Sequence, residues 1–315
     1  MMTQGVYWRL LLMLTREKMG GVYALVPTPF TKSGEFDEEA FRENTRRLGD
    51  AGIHGIATTG TFGEFHTIPW KDHQRLIKAL VDEAKGSMTT IAGCSAVNTD
   101  EAIMKVKFAQ DCGADAVMNV VPYYQRLTRE ECIKYFKDLA QACPNIGIII
   151  YNNPHTTKIL VDAEMYKEIS EEPNICGSKE IVPDFVHLMR IIRATDLAHM
   201  HVDSLFVPMM MWGGKGVFSL TPVLTKPKLV LEAYNACKEK NWEKAIRLQH
   251  EINEFNEFAR RLYGDYTWIC VSKAIVNAFG FIDAGYPRRP FIPVPDDVQE
   301  KAKKKLLEKY GDLWT

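Results

Sequence analysis

The chain carries no CxxC pair and no Cys/His cluster: its seven cysteines (Cys94, Cys112, Cys132, Cys143, Cys176, Cys237 and Cys270) are scattered and odd in number. That argues against a zinc ribbon and a disulfide scaffold, and fits a reducing, cytoplasmic setting. Charge of one sign is missing too. With 39 Lys+Arg against 40 Asp+Glu and no long run of either, nothing suits a nucleic-acid backbone, and the expected partner is a small molecule. Long apolar runs are absent. The nearest to one, 6–14, is interrupted by Arg9 and falls far short of the roughly 20 residues a membrane span needs. No repeat or low-complexity tract is present. Nor does a Gly-rich phosphate turn follow the first strand-like run, which gives way to Pro27, Thr28 and Pro29; a doubly wound dinucleotide fold requires such a turn.

What is present is an alternation of two textures. Short β-branched or apolar runs, at 22–26, 54–58, 90–94, 116–121, 146–151, 175–179, 199–203 and 216–220, read as strands. Between them 38–50, 69–85, 99–112, 128–142, 162–170, 184–195 and 206–212 have helical period. Thr128 followed three residues later by Glu131 is a helix-start signature, and Gly52, Gly86 and Gly113 are stops. Eight strands alternating with helices imply parallel pairing with right-handed crossovers, and eight is the number that closes a (β/α)8 TIM barrel. After Pro222 only helical texture remains (226–238, 242–263, 266–279 and 298–310), with 287–295 as an extended linker. The expected organisation is an N-terminal extension over 1–19, the barrel over 20–240, and a C-terminal helical appendage over 241–315.

In such a barrel the chemistry lies where strands end. Strand two ends in Thr59-Gly60-Thr61-Phe62-Gly63-Glu64, with glycines for a tight turn and Thr61 offering a hydroxyl and an N–H to an anion. Taken alone it is as readily an ordinary turn. Strand five ends in Tyr151-Asn152-Asn153-Pro154, and strand six in Lys179. A lone tyrosine there is usually packed, and a lone lysine usually solvated. Three such groups at one mouth fit Schiff-base chemistry on a 2-oxo acid: a buried amine attacks the ketone, a tyrosine moves protons, and a threonine assists it. No metal and no organic cofactor is required. Binding alone needs no nucleophile, which weighs against the non-enzyme alternative, a barrel that senses pyruvate.

On Gly60-Thr-Phe-Gly-Glu64, Tyr151-Asn-Asn-Pro154, Lys179 and Gly214-Lys-Gly-Val-Phe-Ser219, the chain resembles the dihydrodipicolinate synthase and N-acetylneuraminate lyase superfamily of pyruvate-dependent class I aldolases. The resemblance covers about 20–295. It implies Lys179 as the Schiff-base lysine, Tyr151 as the proton relay, and Thr61 as the residue that binds the pyruvate carboxylate. It also implies a homotetramer of dimers, with Tyr124 near a neighbouring subunit's site. Dihydrodipicolinate synthases have a second hydroxyl residue where Phe62 stands and an arginine where Thr156 stands; the arginine would clamp a second substrate carboxylate. The Gly-Thr-Phe-Gly-Glu run and Tyr-x-Asn-Pro-x-x-x-Lys, with Asn153 and Lys158, look like the hydratase-aldolases that cleave benzylidenepyruvates to pyruvate and an aromatic aldehyde.

The leading expectation is therefore a hydratase-aldolase. A dihydrodipicolinate synthase-like enzyme, or an aldolase of 2-keto-3-deoxy sugar acids or N-acetylneuraminate, is the alternative. Gly60, Phe62, Tyr124, Asn153, Lys158, Phe218 and Trp268 are the substrate-side candidates, with Phe62, Phe218 and Trp268 as an aryl pocket against the plainer reading of core aromatics. Ser219 and Trp268 stand where hydratase-aldolases have a tryptophan and an asparagine. Gly213-Gly214-Lys215-Gly216 precedes strand eight and reads as a turn; His54, His199 and His201 read as core or bottom-face residues. Asp203 and His155 lie near the mouth without a role.

Overall fold

The computed structural model describes residues 13–84 and 86–311. Eight parallel strands close a barrel in sequence order: β1 (Gly21–Leu25), β2 (Gly55–Thr58), β3 (Thr89–Gly93), β4 (Ala116–Asn119), β5 (Gly147–Asn152), β6 (Ile175–Glu180), β7 (Ala198–Val202) and β8 (Gly216–Ser219). Closure is through β1 and β8, with Val22 opposite Val217 and Tyr23 opposite Phe218. The helices are α1 (Glu38–Asp50), α2 (Trp70–Ala84), α3 (Thr99–Cys112), α4 (Arg129–Ala142), α5 (Pro154–Thr157), α6 (Ala163–Ile169), α7 (Phe185–Ala194), α8 (Phe206–Met211), α9 (Thr221–Thr225), α10 (Pro227–Lys238), α11 (Trp242–Arg261), α12 (Trp268–Phe279) and α13 (Asp296–Tyr310).

Each strand is buried on both faces, so the alternation of side chains sorts residues between two cores rather than between core and water. Ile148 and Ile150 of β5 pack outward against the helices, while Ile149 and Tyr151 join the barrel interior with Tyr23, Ile91, Met118 and Met200. Local signals set the helix ends: Thr128 and Glu131 form a reciprocal capping box at the start of α4, and Gly113 closes α3 in the left-handed conformation. The helices α11, α12 and α13 enclose a separate aromatic core of Phe255, Tyr263 and Tyr310.

Of the expected extension, residues 1–12 lie outside the described residues. Residues 13–19 run across the N-terminal ends of the strands. Leu14 is buried and its N–H donates to Asp115 O at 3.0 Å; Met19 packs against Gly177; Arg16 donates to the carbonyls of Ser170, Glu172 and Ile175 and pairs with Asp196 at 2.7 Å. This stretch floors the barrel and leaves the other end open. Among the described residues no helix is long and apolar enough to cross a membrane.

Candidate active site

The site is built on one irregularity. Between β5 and β6 the pairing begins with Ile148 opposite Ile175 and then shifts, so that the next rows are Ile149 with Gly177, Ile150 with Ser178, Tyr151 with Lys179 and Asn152 with Glu180. Without the shift Tyr151 would face Ser178. The extra residue in β6 therefore brings Lys179 level with Tyr151 on the inner face.

There the Lys179 Nζ lies 3.7 Å from the centroid of the Tyr151 ring. Both residues are buried, and among the described residues the amine takes no hydrogen bond. The Tyr151 hydroxyl is 3.4 Å from Thr61 Oγ1 and accepts from Asn153 Nδ2 at 3.3 Å. The buried Asn153 Oδ1 has no partner among the described residues. An amine, a phenol, a hydroxyl and an amide thus converge, with donor and acceptor capacity left over.

The loop 59–64 supplies the next wall. Thr59 and Glu64 are in the left-handed region (φ 49° and 57°), and a Cβ on Gly63 would stand 2.8 Å from Thr59 N, so glycine is required there. The turn closes through Glu64 N–H to Thr61 O (3.1 Å) and Phe65 N–H to Gly60 O (3.3 Å), which leaves the Thr61 and Phe62 N–H groups without a backbone acceptor among the described residues. A cavity of about 30 Å³ lies between this loop and Lys179, lined by Leu25, Val26, Ala57, Gly60, Thr61, Phe62, Gly63, Tyr151, Lys179, Leu220 and Trp268. It has room for roughly two or three water-sized groups.

Phe62 and Trp268 close the outer side of this cavity, their ring centroids 6.0 Å apart. Phe218 does not join them. Its ring points into the barrel below the mouth and packs edge-on against Tyr23 at 5.4 Å, because in a four-residue strand Phe218 falls a level beneath the open end. Lys158 does not line the cavity either. It caps α5 in the left-handed conformation (φ 61°) and donates to the carbonyls of Tyr123 (2.7 Å) and Tyr124 (2.9 Å). Tyr124 itself is 79% exposed and is not among the residues that line the cavity.

The roles of two supporting carboxylates escaped the sequence reading. Glu64 is fully buried, pairs with Lys273 of α12 at 2.6 Å and accepts from the Arg288 N–H at 2.8 Å. Lys273 also donates to Thr28 O (2.8 Å) and Tyr286 O (2.7 Å), so the helical appendage pins the site loop from behind. Burial pulls the Lys273 amine down, against the pull of Glu64. A single lysine in an otherwise apolar helix was the available signal. The second is Asp203, which accepts from Ser219 Oγ (2.5 Å) and the Leu220 N–H (2.9 Å) and so ties the ends of β7 and β8. Its burial pushes the carboxyl up to about 6, with both hydrogen bonds pulling the other way. His199 and His201 are buried in β7, as expected of core histidines, and Gly213 makes a left-handed turn ahead of β8.

Comparison with known proteins finds relatives along nearly the whole chain. A 4-hydroxy-tetrahydrodipicolinate synthase of Methanopyrus kandleri is 35% identical over 91% of this chain and 95% of its own, and one from Methanococcus aeolicus is 33% identical over 94% and 100%. The crystal structure of dihydrodipicolinate synthase from Aquifex aeolicus superposes with a TM-score of 0.84 at 29% identity, covering 93% of this chain and 98% of that one. Residues 18–309 match the family described as "Dihydrodipicolinate synthetase family", and the chain belongs to it.

Proposed function

We propose that the chain is a pyruvate-dependent class I aldolase that works through a Schiff base on Lys179, and that it joins pyruvate to an aldehyde or reverses that step. The single observation that carries the reading is the unpartnered Lys179 amine lying against Tyr151, whose hydroxyl reaches Thr61. The amine attacks the ketone carbon of pyruvate, a C–N bond forms, and water leaves to give an iminium. Loss of a C3 proton gives the enamine, which attacks the aldehyde carbon; Tyr151 carries protons with Thr61 beside it. The Thr61 and Phe62 N–H groups are the donors available to the pyruvate carboxylate. In the reading taken from the resemblance, Tyr124 serves a neighbouring subunit in a homotetramer, which its exposure permits. No cofactor enters this scheme.

The aldehyde half is the finer question. The hydratase-aldolase expectation gains no support from the relatives, whose name favours the synthase alternative. We therefore favour condensation of pyruvate with an aldehyde of the synthase type. The placement of Phe62 and Trp268 at the cavity, and Thr156 in place of an arginine clamp, keep an aromatic aldehyde as the second reading. The test begins with borohydride reduction in the presence of pyruvate. A reduced pyruvyl adduct on Lys179 is expected, and pyruvate binding without an adduct would sink the mechanism. A panel of aspartate semialdehyde, benzylidenepyruvates, 2-keto-3-deoxy sugar acids and sialic acid then separates the substrate readings. Turnover restricted to benzylidenepyruvates would overturn the synthase preference.

A further inference from the structure

One row beyond Lys179 and Tyr151, β5 and β6 carry a second facing pair, Asn152 and Glu180. Because strand side chains alternate, this pair leaves the sheet on the outer face. There the two meet: Asn152 Nδ2 donates to Glu180 Oε2 at 3.0 Å. The remaining capacity of both side chains is also used. Asn152 donates to Val161 O (3.0 Å) and accepts from its N–H (3.1 Å). Glu180 Oε1 accepts from Ser178 Oγ (2.7 Å) and from the hydroxyl of Tyr166 on α6, and Oε2 lies 3.4 Å from His187 Nε2 on α7. Since the Ser178 proton goes to Glu180, the hydrogen bond between Ser178 Oγ and His199 Nδ1 (2.8 Å) takes its proton from the ring, and Thr195 donates to His199 Nε2 (3.1 Å).

A buried carboxylate is a poor source of stability, since an apolar replacement of both partners commonly does as well; its better-supported use is to fix register. Register is what needs fixing here. Backbone ladder bonds are indifferent to a one-residue slip, yet a slip between β5 and β6 would set Tyr151 opposite Ser178 and turn Lys179 away from it. The inner pair cannot supply the lock, because the amine and the phenol must remain free to react. From this placement we infer that Asn152 and Glu180 are positioning residues: they hold the shifted register from behind the sheet and so set the approach of the Lys179 amine to the Tyr151 phenol. The inference rests on the proposed Schiff-base reading.

Two substitutions break the bond from opposite sides. Asn152→Ala removes the donor on β5. Glu180→Gln keeps the shape and, with Tyr166 and Ser178 still donating to Oε1, leaves an amide nitrogen facing Asn152. Each is made in the wild type and in a Tyr151→Phe background, and read by borohydride trapping with pyruvate and by the rate of C3 proton exchange of pyruvate in D2O. Both variants are expected to melt cooperatively above the assay temperature and to keep the Lys179 adduct. Exchange should slow about 10-fold when Tyr151 is present and less than about 2-fold when it is Phe, since residues acting through a shared partner are not additive. Equal slowing in both backgrounds, or none, would overturn the positioning role while leaving the adduct and the Schiff-base reading in place. Absence of an adduct in the wild-type enzyme would instead remove that reading, and this inference with it. Should Asn152→Ala fail to fold, the shape-conserving Glu180→Gln gives the same comparison.

Discussion

Two buried lysines stand on either side of the 59–64 loop, and the protein treats them in opposite ways. Lys273, 1% exposed, is well partnered: it donates to two carbonyls and forms an ion pair with a carboxylate at 2.6 Å. Lys179, 3% exposed, has the face of Tyr151 and a cavity. Burial costs an ammonium several kcal/mol unless partners offset it. The first lysine is offset and holds structure; the second is left unpartnered and open to a carbonyl. A third, Lys226, sharpens the contrast. It too is buried without a hydrogen-bond partner, over the rings of Tyr310 (4.2 Å) and Phe255 (5.1 Å), yet it stands between α9 and α10 against the aromatic core of the helical appendage. An unpaired lysine is therefore not sufficient for chemistry; a cavity and a proton relay must adjoin it.

This contrast can be broken most sharply at Lys179 itself. Lys179→Ala should abolish trapping with pyruvate and turnover while leaving the melting transition in place; a retained adduct, located by peptide mass, would assign the amine elsewhere. Next in size is Lys273→Met. Removing one partner of a buried pair strands Glu64, so unfolding in urea should show a loss of about 3–5 kcal/mol, with Lys179 still trappable at temperatures where the variant is folded. Tyr151→Phe should keep the adduct and slow C3 proton exchange about 100-fold, within the usual range for removing a general acid or base; an unchanged rate would move the relay to another group.

Smaller effects follow from titration. His199 and His73 are buried and neutral, and burial lowers both to about 4 from the ordinary 6.5. In the window from 6.5 down to 4 the unfolded chain binds more protons, so stability falls with pH by about 1.4 kcal/mol per unit for each group. Glu180, which burial pushes up but His187 and Tyr166 hold below the usual carboxylate range, adds a further loss below about pH 4.5. Urea midpoints between pH 7 and 4 measure the slope, and His73→Gln should remove part of it. Smallest is Lys226→Met. Burial pulls this amine down to about 8, so between there and about 10.5 the unfolded chain holds the proton more tightly, and wild-type stability rises with pH. The substitution should therefore stabilise by about 1 kcal/mol at pH 7, and its advantage should shrink between pH 8 and 10.5.

The fold was largely legible because each strand run and each helix period repeats eight times, and errors at one boundary do not alter the count. Boundaries moved by a residue or two, as at β7, which ends at Val202 and leaves Asp203 to bridge to β8. The inner trio was legible because each member sits next to the end of a strand. Phe218 and Lys158 do not line the cavity, for reasons that spacing does not carry. Depth along the barrel axis separates Phe218 from the cavity, and the left-handed turn at Lys158 aims its amine at two carbonyls. Glu64 with Lys273, and Asn152 with Glu180, could not be read at all. Their partners lie 209 and 28 residues apart and meet only where α12 docks on the site loop and where β5 pairs with β6.

The floor of the barrel has a consequence for the order of synthesis. Arg16 is made 154 to 180 residues ahead of its partners, which run from Ser170 through Glu172 and Ile175 to Asp196. At roughly 5–20 residues per second the ribosome takes on the order of ten seconds or more to supply them. Throughout that interval the guanidinium has no seat, and neither has Met19, which packs against Gly177. The ion pair with Asp196 comes last, so the bottom of the barrel is completed only after the lysine has been made.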